Sequence, residues 1–300
     1  MDTSSFDRRR FLKTTAAGAA VASLVPVAAR AALRPSIDDS AESLVKVLYE
    51  KLDAKQRAAV CFAWDHRDER GLLRTHVSNN WHITSPVINT EFFTDEQRDL
   101  IRKIFEGIIR PEWQAKVDQQ LQDDAGGFGN DQNIAIFGEP GSGKFEFVMT
   151  GRHMTLRCDG DSADHVAFGG PLFYGHAARD FNEAADHPGN VYWEQAVAAN
   201  EVYRMLDGRQ RTLAEVGQLP KESSVAFTGR DGMRPGIPVT ELAGDQKGEL
   251  QKVLAKLLEP YRQADQDEVH ACLTAQGGLD ACSLAFYTDR DIGGDRVWDN

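Results

Sequence analysis

Apolar residues recur at helical spacing in both halves of the chain and at every second position in its middle. Leu44, Val45, Val47, Leu48 and Leu52 fall on one face of a helix that Ser40 caps. Asp53 caps a second, short helix, which leaves Ala58, Ala59, Val60 and Phe62 for the core. Residues 64–86 are polar and hold His66, His76, Trp81 and His82; Trp81-His82-Ile83 reads as a short strand with Trp81 and Ile83 inward. Thr94-Asp95-Glu96-Gln97 is a capping box for a helix with Leu100, Ile101, Ile104, Phe105, Ile108 and Ile109 on its apolar face. Pro111 starts or bends the next helix, which carries Trp113, Val117 and Leu121.

In the middle the period drops to two. Phe145, Phe147 and Met149 alternate with Glu146, Val148 and Thr150, and a further strand over 152–157 puts His153, Thr155 and Arg157 on one face and Met154, Leu156 and Cys158 on the other. The apolar face is core, so the other reads as a polar surface. Val166, Ala167 and Phe168 suggest one more strand, followed by a Gly169-Gly170-Pro171 turn and an extended exit over 172–176.

Between the first two strands, Gly138-Glu139-Pro140-Gly141-Ser142-Gly143-Lys144 matches a phosphate-binding loop until its last position, where Phe145 replaces the magnesium-binding hydroxyl. A phosphate loop must also open a helix, whose amino terminus faces the phosphates. Strand periodicity follows instead, so these residues read as the tip of a hairpin between 134–137 and 144–149, and no ATP site is expected.

The order of elements recurs after Val191. Residues 52–57 return as 206–211, Pro86-Val87 as Pro238-Val239, and Asp95 with Leu100, Ile104 and Ile108 as Asp245 with Leu250, Leu254 and Leu258, while Pro260 stands near the place of Pro111. The expected organisation is a leader (1–31), a linker (32–39), a first repeat with the central hairpin (40–190) and a second repeat (191–300), both repeats in one domain. Residues 283–287 take the place of 134–137, and the sequence ends at Asn300 before a counterpart of 144–157, so the natural domain is expected either to be longer than this chain or to end with one unpaired strand edge. The fold class is α+β, with helical hairpins packed on a mainly antiparallel sheet.

Composition adds a location. Arg8-Arg9-Arg10-Phe11-Leu12-Lys13 precedes a short Ala-rich apolar run and Ala29-Arg30-Ala31, the pattern of a twin-arginine export signal cleaved near Ala32. The expected partner is the twin-arginine translocase, with a periplasmic or extracellular product and no membrane span in the mature protein. Residues 1–31 carry a net +3, so their removal takes the formal charge from −12 to −15. Such an acidic chain does not suit nucleic acid. Four cysteines are too few for a disulfide scaffold, although Cys272 and Cys282 are close enough in sequence to close a short loop.

Trp81-His82-Ile83, Phe137-Gly138-Glu139-Pro140, Gly143-Lys144-Phe145-Glu146-Phe147, Gly151-Arg152-His153-Met154-Thr155-Leu156 and Gly170-Pro171-Leu172-Phe173-Tyr174-Gly175 resemble, across nearly the whole mature chain, the bacterial family catalogued as domain of unknown function 3500. That family carries no established activity, so the resemblance implies a kind of protein without a chemistry. Its members commonly have Gly-His-His and Ser-Leu-Asn after the hairpin; here Arg152 stands for the first His and Arg157 for the Asn, and a final histidine-bearing strand is missing.

Three functions fit these residues. A metal-assisted envelope enzyme would use His153 and His176 as catalytic groups and transition-metal ligands, with Asp159 or Asp161 nearby. A binding protein for a small anionic or polar ligand would use Arg152, Arg157, His153, Tyr174, His82 and Trp81. The third is a structural or interaction protein whose arginines face internal carboxylates.

Overall fold

Short-range capping sets the helical framework. The computed structural model describes residues 40–160, 162–175, 187, 189–221, 232, 234–290 and 294; the export signal, the 32–39 linker, Asp161 and His176 lie outside them. Helix α1 (Ala41–Lys51) starts at Ser40, whose hydroxyl accepts from Ser43 N, and α2 (Ala54–Val60) starts at Asp53 in a reciprocal box with Gln56. Helix α3 (Asp95–Ile108) starts at Thr94, boxed with Gln97, and α4 (Pro111–Ala125) has Pro111 in its first turn and left-handed Gly126 at its end. No described helix is long and apolar enough to cross a membrane.

The boxes do more than cap. The side chains of Gln56 and Gln97 are buried and exchange two amide hydrogen bonds, each 2.8 Å. Each Nε2 also donates to a carbonyl, that of Phe92 or of Lys51. One clamp thereby closes the starts of α2 and α3 and the end of α1.

The sheet grows from the central hairpin. Strands β4 (Asn133–Gly138), β5 (Phe145–Gly151) and β6 (Met154–Asp159) form an antiparallel meander. Strand β1 (Cys61–Phe62) adds parallel to β4, and β7 (Phe173–Tyr174) adds antiparallel to β6, giving the order β1-β4-β5-β6-β7. A two-strand ribbon of β2 (Arg67–Asp68) and β3 (Gly71–Leu72) stands apart. At the hairpin tip, Ser142 N and Gly143 N both donate to Glu139 O, so these amides are turned onto the loop's own carbonyl. Gly138 has φ +74° and a Cβ there would lie 2.0 Å from Lys144 O, which only glycine allows. A strand follows this glycine-rich loop, as the alternation of Phe145 to Thr150 requires.

Both faces of the sheet are covered. Ile134, Ile136, Phe145, Phe147, Met149, Met154, Leu156 and Cys158 pack with the helices. On the opposite face Ala135, Phe137 and Val148 meet Leu73, Ile83, Trp64 and Trp81 from the segment that precedes α3. The 155/157 face is therefore not the polar surface expected from alternation: Thr155 and Arg157 are fully buried with Glu146 and Thr150 beneath that segment. Within it, Trp81-His82-Ile83 is a loop and not a strand, although Ile83 is inward and its N–H donates to Thr150 Oγ1. Likewise Ala167–Gly169 is a 3-10 turn, not a strand, and its left-handed Phe168 is buried in the helix-side core.

The second half builds a similar frame around its own core of Val202, Tyr203, Leu206, Ile237, Val239 and Phe286. It comprises α5 (Trp193–Met205), α6 (Gly208–Ala214), β8 (Glu215–Val216), β9 (Ile237–Pro238), α7 (Gly244–Leu258), α8 (Gln263–Ala275), β10 (Ser283–Leu284) and β11 (Phe286–Tyr287). Gln210 and Gln246 form the same reciprocal amide pair, at 2.9 and 2.7 Å, with further bonds to Glu241 O and Met205 O. Strand β11 runs parallel to β8, as β4 does to β1. Register corrects two sequence matches: Val87 opposes Asn133 as Pro238 opposes Ser283, a shift of one residue, and α8 begins at Gln263, three residues after Pro260. Segment 283–287 pairs with β9 and then β8, and among the described residues no strand lies along it as β5 lies along β4. The two frames touch where Ile109 bridges Tyr261.

All four cysteines are free, so Cys272 and Cys282 do not close a loop. Burial pushes the Cys61 thiol up to about 11 and that of Cys158 well above its ordinary value, which disfavours the reactive thiolate of both at neutral pH.

Candidate functional site

The two-residue turn between β5 and β6 consists of Arg152 and His153, closed by the Gly151–Met154 pair. His153 is therefore in a turn and not on the strand face expected for it. Its φ is +54°, a left-handed conformation that glycine or asparagine adopts more readily. Two bonds hold it there: the backbone N–H donates to Asn79 O at 2.6 Å, and Nδ1 lies 2.9 Å from Asp124 Oδ2.

Asp124 comes from the last turn of α4, where Gln120, one turn earlier, donates to the same Oδ2 at 2.6 Å. The His153 side chain is 16% exposed and that of Asp124 3%. In a neutral ring, a carboxylate at Nδ1 favours the proton there and leaves the lone pair on Nε2. Nε2 has no hydrogen-bond partner among the described residues.

A second histidine–aspartate pair flanks the turn. His82 Nε2 lies 3.0 Å from Asp131 Oδ1, and Asp131 Oδ2 accepts the Arg152 N–H at 2.7 Å. His82 is 46% exposed, and the exposed Arg152 guanidinium has no ion pair among the described residues. Asn80 bridges Arg152, which fixes this loop along the turn.

The other candidates are spent on structure. Arg157 Nη1 meets Glu146 Oε1 at 2.7 Å, while Nε donates to Pro171 O and Nη2 to His76 O. Nη1 also donates to Arg74 O, and Arg74 Nη1 reaches the second oxygen of Glu146 at 2.8 Å. Burial raises Glu146 and lowers Arg157, and their mutual attraction opposes both shifts. Arg157 thus cannot receive a ligand. Trp81 Nε1 donates to Thr155 Oγ1, and His76 packs edge-on against the Trp81 ring with its own pKa lowered by burial. Tyr174 OH donates to Leu257 O and accepts from Gln195, so this residue ties β7 to the second half.

Of the anticipated set, Arg152, His153 and His82 gather at one turn, whereas Arg157, Trp81 and Tyr174 do not. Asp124, Asp131 and Gln120 were not anticipated. The i, i+4 spacing of Gln120 and Asp124 marks one helix face, but nothing local connects that face to a turn 29 residues later. Among the described residues no three His, Cys, Asp or Glu side chains cluster as a metal site. Asp159 accepts from Ser162 N and is buried.

A cavity of about 10 Å³ is bordered by Gln120, Met154, Tyr174, Tyr192 and Tyr261 among others. The Tyr174 ring stands at steep angles to those of Tyr192 and Tyr261, with centroids 4.9 and 5.8 Å away.

No curated protein and no solved structure matches this sequence. Residues 36–290 match the family described as protein of unknown function, DUF3500, and the chain belongs to that family.

Proposed function

We propose that the Gly151–Met154 turn is the working site of an exported enzyme, at which His153 transfers a proton to or from a small anionic substrate held beside it by Arg152. The observation that carries this reading is the conformation of His153. A left-handed non-glycine residue costs on the order of 1 kcal/mol, and such strain concentrates where a side chain is needed. Asp124 fixes the tautomer and Gln120 fixes Asp124, which is the support a general base requires. Arg152 supplies a cation that pairs with no carboxylate among the described residues. Its fork suits a carboxylate or a phosphate equally.

NMR titration with phosphate and with acetate tests this. Saturable shifts at His153 and Arg152 are expected, and Arg152→Ala weakens binding about tenfold or more, the equivalent of one charge-assisted hydrogen bond. If neither anion gives saturation at His153, the reading is wrong.

A metal-assisted reaction is a second reading, favoured by the same Asp124 bond, because metal-bound imidazoles are oriented in this way. It needs His176, outside the described residues, to join His153 Nε2. Less than roughly one tenth of a metal ion per purified chain, unchanged by His153→Ala, would sink it.

Export rests on Arg8 and Arg9, ahead of the Phe11-Leu12-Lys13 block and the apolar run. The double variant Arg8→Lys/Arg9→Lys should leave the chain uncleaved in the cytoplasm; processing at the wild-type level would exclude the twin-arginine route. The matching glutamine clamps of the two halves support a tandem repeat as the origin of the domain.

A further inference from the structure

His82 stands outside the proton transfer assigned to His153, yet the fold holds it at the same turn. Its backbone is pinned from two sides: Arg70 Nη1 donates to His82 O at 3.2 Å, and the next N–H, that of Ile83, donates to Thr150 Oγ1. Its ring is pinned by Asp131, whose Oδ1 lies 3.0 Å from Nε2 and whose Oδ2 takes the Arg152 N–H. One carboxylate therefore separates the His82 ring from Arg152. Asp131 is packed onto the turn, since a Cβ on Gly151 would lie 3.3 Å from its Oδ2.

The two ring nitrogens of His82 differ in consequence. Nε2 faces a carboxylate, whereas Nδ1 makes no hydrogen bond among the described residues, and the side chain is 46% exposed, so an anion can reach it from solvent. In a neutral ring whose Nε2 carries the proton, Nδ1 is an acceptor and offers an anion nothing; in imidazolium it is a donor. We propose that the anion held by Arg152 also accepts a hydrogen bond from His82 Nδ1, so that the turn takes up its ligand together with one proton.

Charged and titratable groups come to this place from four elements. They are Asp131 from the loop before β4, Arg152 and His153 from the turn, Asp124 from α4 behind His153, and Arg70 from the β2–β3 ribbon, where Asp68 accepts from its Nε at 2.9 Å. Among them Arg152 offers a guanidinium that pairs with no carboxylate among the described residues. The two histidines then divide the work: His153 presents an open Nε2 to accept a proton, and His82 presents a cation that draws the anion in. The ligand class narrows to oxyanions with at least two free oxygens, one for the Arg152 fork and one for Nδ1. This inference rests on the anion reading of the turn and adds the proton to it.

Sulfate is the probe, because its charge stays constant while imidazole titrates, between about pH 5 and 8. Imidazolium is lost as pH rises, so the wild-type dissociation constant should increase about five- to tenfold across that range, the share of one charge-assisted hydrogen bond at a half-exposed group. In wild type the 15N resonance of His82 Nδ1 should also move to its protonated position when sulfate is added near the middle of the range. His82→Gln keeps an amide donor for Asp131 and cannot titrate, and it should bind sulfate with an affinity that no longer depends on pH. A flat wild-type profile, an unmoved His82 resonance, or a slope that survives in His82→Gln and so belongs to His153 would each overturn the proposal and leave the anion site in place. No saturation by sulfate overturns it too, and failure of acetate as well removes the anion site with it.

Discussion

Arg157→Met lowers the stability of the fold by about 3–5 kcal/mol, because it strands a carboxylate at the centre of the protein. Glu146 and Arg157 are both fully buried, and Arg157 also satisfies the carbonyls of Arg74, His76 and Pro171. Removing the guanidinium leaves Glu146 with only Arg74, whose side chain is 11% exposed and also bonded to Gly169 O. The carbonyls lose their donor as well, so the covering segment loosens from the sheet. Glu146→Leu combined with Arg157→Met removes the stranded charge, and the double variant should be more stable than Arg157→Met alone. Arg74 can turn toward solvent and keeps its stacking on Trp64 at 4.0 Å. Urea denaturation of the single and double variants measures both quantities. A loss below about 1 kcal/mol in Arg157→Met would mean that the pair contributes no more than a surface ion pair.

Gln97→Ala is the second large effect, expected at about 2–4 kcal/mol from several lost bonds and newly unmatched buried groups. The side chain of Gln97 accepts from Thr94 N and from Gln56, and donates to Gln56 and to Lys51 O. An ordinary N-cap contact is worth about 1 kcal/mol, so a loss of that size would reduce the clamp to its capping part. Gln246→Ala removes the corresponding clamp in the second half and should cost a similar amount. The two losses add if the halves unfold together and are too far apart to couple. A double-mutant comparison of Gln56→Ala with Gln97→Ala then isolates the amide pair itself.

Sequence spacing reveals the capping half of this clamp and hides the other half. Asp53 with Gln56 and Thr94 with Gln97 are boxes because each pair lies within one helical turn. The amide exchange between Gln56 and Gln97 spans 41 positions, and no local pattern encodes it. The central strands show the same division. Alternation assigns Met154, Leu156 and Cys158 to the core, where they are, but it cannot say what lies over Thr155 and Arg157. A polar loop with only Leu73, Ile83, Trp64 and Trp81 as apolar anchors covers them, and its pattern reads as surface.

The candidate site was legible only in part for the same reason. Arg152 and His153 stand next to each other in the chain and remain together at the turn. His82 arrives by way of Asp131, and the group that makes His153 a candidate base, Asp124, comes from the end of a helix. Arg157 looked like a ligand-binding arginine because sequence shows a charge without its partner.

The sequence by itself determined where the capped helices of the first half start, that a strand and not a helix follows Gly138 to Lys144, and to which family the chain belongs. These depend on residues within a few positions of one another, where backbone geometry and side-chain reach leave few choices. The tertiary structure alone decided that Arg157 is buried on Glu146 while Arg152 pairs with no carboxylate among the described residues, and that His153 is held left-handed with Asp124 behind it. Burial and charge pairing are set by what packs across the chain, and a one-dimensional pattern carries no record of that neighbour.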